Sequence, residues 1–296
     1  MEPQTRMTDG TIVTFAGGSL TEQARVVYAA PRDDHYIIVT DRTPFHPQSL
    51  SWPDQPGDRG DLVLSDGRRA QVLDSREGLQ NRATGVLFMG EAALGIKRGD
   101  PDIQAVVLHL LQEDLSPATG AAVTLTVDKN YRDALSLQHT AVHLAALALN
   151  HCAVPFWTKD PGDPDTLGAP NLDKAAVTQS RITVDCSTDV YRIGKSLRKK
   201  GFDREAFLSD LPDRARSVNE ALVRLLTDPA PVELTPVEGY LGDRRLWSTR
   251  LNGVNVAMPC GGTHVAHLGL IKRITVDFAP TEDGFVMLTH GVSGVL

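Results

Sequence analysis

Cysteine is scarce in this chain of 296 residues: only Cys152, Cys186 and Cys260 occur, an odd number without paired spacing. That excludes a disulfide-stapled secreted scaffold and leaves reduced thiols or metal ligands. No run of 18 or more apolar residues occurs, so no membrane span is expected. The first ten residues, MEPQTRMTDG, have neither a basic start nor an apolar stretch, so no signal peptide and a cytoplasmic location are expected. A basic surplus is missing as well. Thirty Lys and Arg against 37 Asp and Glu leave a formal charge of −7, which argues against a protein that coats nucleic acid with its whole surface, because cationic side chains supply most of that affinity. A local basic patch remains compatible with a nucleic-acid partner. What is present is ordinary globular composition, 41% hydrophobic and 23% charged, with enough chain for two domains.

Between residues 11 and 128 short β-rich runs (TIVTFA, ARVVYAA, YIIVT, DLVLS, RAQVLD, TGVLFM, IQAVVLHLL, AAVTLTV) alternate with Gly, Pro and Asp. Many short strands at this spacing predict a small antiparallel barrel or sandwich. After residue 130 the character changes. ALSLQHTAVHLAALALN, 134–150, is rich in good helix formers and free of Gly and Pro, and predicts a largely buried helix. PFWTKDPGDPDTLGAP, 155–170, reads as a surface loop. A strand over 181–185, helices over 203–208 and 213–226, and strands over 245–249, 254–257, 270–278 and 284–289 complete an α+β second domain.

Two short motifs carry chemistry. His139 and His143 stand at i and i+4 in the helical segment, so both imidazoles leave one helix face a turn apart, as two ligands of one metal require. By itself this pattern equally describes two histidines hydrogen-bonded inside a core. Cys260-Gly-Gly-Thr-His264 offers a thiol and an imidazole around two glycines that let the backbone turn. By itself it equally describes a buried thiol beside a turn. Together they make an N₃S donor set suited to Zn²⁺ rather than to Mg²⁺ or Ca²⁺. Four protein ligands ordinarily close a zinc site, whereas hydrolysis needs a position for water. His267 and His151 lie near these motifs and are expected to remain outside the donor set.

At these residues the sequence resembles the editing-domain family shared by alanyl-tRNA and threonyl-tRNA synthetases, in particular its free-standing trans-editing proteins of the AlaX type. HTAVHL at 139–144 is similar to that family's HTAxHL helix, and CGGTHV at 260–265 matches its second motif. DRTPFHPQ (41–48), QPGDRG (55–60), VDKNYRDALSLQHT (127–140), SRITVD (180–185) and Asn219 extend the similarity over most of the chain. One stretch departs: the family's FxPxGGGQPxDxG glycine triplet is replaced by SLSWPD, 49–54, which includes Trp52.

The resemblance implies an α+β protein with an N-terminal small β-barrel domain (1–128) and an α+β zinc-dependent editing domain (129–296), whose long metal-bearing helix packs on an antiparallel sheet. It implies a trans-editing aminoacyl-tRNA deacylase that uses zinc-activated water on Ser- or Gly-tRNA(Ala), with zinc on His139, His143, Cys260 and His264. Thr263 and the Gly261 and Gly262 amides are candidates to bind the oxyanion or the substrate amino group. Thr43 and His46 are expected to line the pocket from the first domain. Lys195, Arg198, Lys199 and Lys200 form the densest basic cluster and the first candidate for tRNA phosphate, with Arg244, Arg245, Lys272 and Arg273 behind them. The departing loop leaves open a deacylase for tRNA(Thr) carrying a threonine analogue such as fluorothreonine. A protein merely stapled by structural zinc, and a zinc hydrolase of a small ester or amide, remain the readings outside tRNA editing.

Overall fold

A computed structural model describes residues 10–294 except 33, 34, 98, 116 and 118. Residues 1–9, on which most of the expectation about a signal peptide rests, lie outside the described residues. The protein is α+β, mostly sheet with one long helix, and divides into two compact units. Among the described residues no helix is long and apolar enough to cross a membrane.

The first unit comprises 1–132 with 234–245 and 260–263. Its antiparallel strands follow the order Gly60–Leu64, Ala122–Val127, Thr21–Arg32, His35–Thr40, Ile103–Leu111 and Arg69–Asn81, and the last pairs again with Gly60–Leu64. Alternation along the strands supplies two apolar clusters: Val26, Ile38, Leu62, Leu111 and Leu125 form one, while Val27, Ile37, Val39, Leu108 and Leu110 form the other. Both faces of the central strands are therefore buried, which is why YIIVT is continuously apolar and does not alternate with polar residues. The TIVTFA run contributes only the two-residue strand Ile12–Val13, because the chain turns into a 3₁₀ segment at Phe15–Gly17 that ends on the left-handed Gly18.

The segment from Pro44 to Asp58 lies along the strand Arg69–Asn81. Gln48 and Glu77 exchange backbone hydrogen bonds with this neighbourhood, and Ser75 Oγ donates to the carbonyls of His46 and Asp58. At its end the fully buried Asp58 carboxylate meets Arg132 in a two-pronged ion pair, and Arg132 also donates to the Pro44 carbonyl. Asp58 further accepts the His46 amide N–H. Arg132 stands in the first turn of the long helix, Lys129–Ala153, which Asp128 caps by accepting the Tyr131 N–H at 3.1 Å.

The second unit comprises 133–233 with 246–259 and 264–296. Its four-stranded antiparallel sheet runs in the order Val177–Ile182, Ser187–Arg192, Gly284–Ser293, Ile271–Pro280. The long helix is fastened to it by Gln138, whose amide pairs with both the N–H and the carbonyl of Gly291. Gly291 leaves room for Ala141, as a Cβ there would sit 3.2 Å from the Ala141 methyl. Helix Leu211–Leu225 flanks the edge strand, and the Asn219 side chain bonds both backbone groups of Val276. The strand expected over 181–185 instead ends at Ile182, since Thr183 closes a turn onto Cys186 with backbone and hydroxyl bonds. The 155–170 loop is pinned: Asn150 of the long helix donates to Asp165, whose carboxylate also accepts the Leu167 and Ala169 N–H groups.

A buried charge stripped of its partner is costly, about 3–5 kcal/mol. Asp58→Asn should therefore lower the unfolding free energy by about that amount in chemical denaturation, and adding Arg132→Met should recover much of the loss, because neither buried charge then remains.

Candidate metal centre

His139 and His143 project from one face of the long helix, and their ring centroids are 5.0 Å apart. His264 faces both, at 4.4 Å from His139 and 4.8 Å from His143. One ligand atom from each of His139, His143, Cys260 and His264 lies within 4.8 Å of the other three, close enough to share an ion, and this is the one such cluster among the described residues. His267 stands outside it: its Nδ1 accepts the Gly269 N–H and starts a short 3₁₀ turn. His151 is exposed near the helix end. All three cysteines are free thiols.

The hairpin Leu246–Leu251 and Val254–Pro259 leads straight into Cys260, turning at Asn252 and Gly253, both with positive φ. On its first strand Trp247 is fully buried and meets His143 edge-on at 4.9 Å. Nothing in the sequence beyond strand alternation marks this residue. The segment after Cys260 is gripped by Gln55, whose Nε2 donates to Thr263 Oγ1 at 2.8 Å while its Oε1 accepts the Thr263 N–H at 3.0 Å. These residues are 208 positions apart, and only the QPGDRG motif points at Gln55. Thr140, between the two helix histidines, touches His264 and Val265.

Two of the four donors are held uncharged by burial. Burial holds the His143 imidazole down to about 4, keeping its lone pair, and pushes the Cys260 thiol up to about 12. The Gly262 and Gly261 amides oppose that rise by pointing at the Cys260 sulfur, whereas the Asp54 carboxylate adds to it. Burial also raises Asp54 itself, to about 6. Among the described residues His143 Nδ1 is buried without a hydrogen-bond partner. Three imidazoles and a thiol, buried or half-buried, fit a divalent ion such as Zn²⁺, whose charge would favour the thiolate that burial disfavours.

Thr43, expected to line the pocket, is fully buried, and its hydroxyl is engaged by His109 Nε2 at 2.8 Å and by the Phe45 N–H at 3.1 Å. His46 is buried edge-on against Phe15 at 5.0 Å. Glu77 holds the 49–54 loop by accepting the Leu50 N–H at 2.8 Å, and Ser49 Oγ accepts the Ser51 N–H, leaving Trp52 exposed. Lys195, Arg198, Lys199 and Lys200 are exposed on and just after the short helix Lys195–Lys199. Arg245 is buried instead, donating to the carbonyls of Gly239, Tyr240 and Asp243, which removes it from the basic surface expected of it.

The chain is similar to alanine–tRNA ligases. It is 24% identical over 263 residues to that of Halorubrum lacusprofundi, covering 88% of this chain and 23% of the relative. It is 28% identical over 132 residues to that of Acetivibrio thermocellus, covering 45% of this chain and 12% of the relative. The chain thus spans less than a quarter of the length of either. No family model matches it.

Because the metal-free thiol is protonated at neutral pH, Zn²⁺ binding should release about one proton, and affinity should rise about tenfold per pH unit between roughly pH 7 and 9. Calorimetry in buffers of different ionisation enthalpy reads the proton, and Cys260→Ser should remove it.

Proposed function

We propose that the chain is a zinc-dependent aminoacyl-tRNA deacylase of the free-standing, AlaX-like editing type, clearing Ser- or Gly-tRNA(Ala). The observation that carries this reading is the convergence of His139, His143, Cys260 and His264 in a chain similar to alanine–tRNA ligases over most of its length. In the same reading the returning strand order of the first unit is a small barrel, and the domain boundary falls near 128.

His139, His143, Cys260 and His264 would hold the ion, which when bound supplies Lewis acidity and a water of pKa near about 7 to attack the aminoacyl ester. Thr263, gripped by Gln55, would stand beside the ester to bind the oxyanion or the substrate amino group. Gly261 and Gly262 would hold the Cys260 thiolate through their amides and keep the approach to the ester unobstructed. Thr43 and His46 would act from beneath, as the buried support of the loop that delivers Gln55. Lys195, Arg198, Lys199 and Lys200 would meet tRNA phosphates.

Four protein donors favour a second reading, structural zinc, because a closed tetrahedral set leaves no position for water. A panel of charged tRNAs separates the two. The wild type should hydrolyse Ser- or Gly-tRNA(Ala), and His139→Ala should lose that activity while keeping its circular dichroism; an unfolded, zinc-free His139→Ala protein would favour the structural staple. Hydrolysis restricted to tRNA(Thr) bearing threonine or an analogue would move the substrate to the other branch of the family. Lys199→Glu with Lys200→Glu should weaken tRNA binding and reduce the slope of log K against log salt by about 1 for each phosphate these lysines neutralise.

A further inference from the structure

Thr140 sits between two metal-ligand candidates on the helix, is fully buried, and its hydroxyl has three neighbours. Oγ1 is 2.8 Å from the Ser136 carbonyl oxygen, 3.1 Å from the Val265 backbone nitrogen and 3.2 Å from His264 Nδ1. A hydroxyl has one proton to give and two lone pairs to receive. The Ser136 carbonyl only accepts, and two oxygens at 2.8 Å without a proton between them repel, so the Thr140 proton goes there. The Val265 N–H only donates and takes one lone pair. The remaining lone pair faces His264 Nδ1, which must therefore carry a hydrogen.

We infer that Thr140 is a positioning residue that fixes His264 as the Nδ1–H tautomer, turning its Nε2 lone pair to the metal. One side chain thereby sets both the chemistry and the orientation of a donor that arrives from 124 residues away, and it does so from the helix that carries the other two imidazoles. A hydroxyl-to-imidazole bond of this kind takes the place of the carboxylate or carbonyl that usually orients a metal-bound histidine. The Val265 bond locks the backbone next to His264 at the same time. The inference rests on the metal-centre reading for its consequence, but the tautomer itself is a property of the metal-free chain.

The test compares the wild type with Thr140→Val, which keeps the β-branched shape and removes the hydroxyl, and Thr140→Ser, which keeps the hydroxyl. Long-range ¹H–¹⁵N correlation on imidazole-labelled, metal-free protein should show His264 protonated at Nδ1 in the wild type and in Thr140→Ser, and shifted towards Nε2–H or a mixture in Thr140→Val. Zinc affinity, read by competition with a chromophoric chelator, should fall about 10- to 100-fold in Thr140→Val and little in Thr140→Ser. Circular dichroism checks that both variants are folded. A wild-type His264 protonated only at Nε2, or a folded Thr140→Val with unchanged tautomer and zinc affinity, overturns the inference. Neither measurement uses tRNA, so a wild type that binds zinc and deacylates nothing would sink the proposed function while leaving the role of Thr140 standing.

Discussion

Two opposite charges at almost zero exposure, Asp58 and Arg132, are the constraint on which the order of the segment that carries Gln55 depends. Taking such charges out of water costs several kcal/mol per ion, and only close pairing with further hydrogen bonds offsets it. The pair has those bonds: Pro44 and His46 supply a carbonyl and an amide. The loop is laid down residue by residue from there, with Ser75 holding the carbonyls of His46 and Asp58 and Glu77 holding Leu50. Gln55 is the product of this scaffolding. Its amide can grip both the N–H and the hydroxyl of Thr263 only if its own backbone does not wander, since a bidentate contact tolerates little displacement.

The electrostatics of the donors point the same way. A thiol raised to about 12 and an imidazole lowered to about 4 register a region that disfavours charge of either sign. A divalent ion would change that balance, because it would pair with the thiolate and with the His143 lone pair that burial keeps unprotonated. Groups that are poor acids and bases in the empty fold are in this way good ligands.

How much of this is legible in the sequence depends on distance along the chain. HTAVHL can be read because helical periodicity is local: i and i+4 fix a face without any knowledge of the fold. CGGTHV can be read as a half-site because its two donors are four residues apart. The apolar pattern marks the interior of the long helix but not its first turn, since Asp128, Lys129 and Asn130 are a cap and a polar turn rather than an apolar period. The Gln55 to Thr263 and Thr140 to His264 bonds have no local signature at all, spanning 208 and 124 positions. Trp247 is hidden for a different reason: in a strand, alternation says which residues share a face but not what that face meets. Thr43 is buried with its hydroxyl against His109, a burial that no pattern of neighbours along the chain encodes.

The tension between four donors and a position for water turns on how each donor is held. Cys260 receives amide N–H groups from the glycines that follow it, and His264 is held through Nδ1 by Thr140. His143 differs: its Nδ1 has no hydrogen-bond partner among the described residues, and its ring is placed by ring contacts with Trp247 and the other imidazoles. Hydrogen bonds resist rotation of a ring steeply, with an energy that falls off within a few tens of degrees, whereas individual van der Waals contacts change by only about 0.1–0.2 kcal/mol each. The restoring force on His143 is accordingly the softer one. Were the four residues to hold an ion, His143 would be the donor whose ring turns at least cost, and the place where water would be admitted.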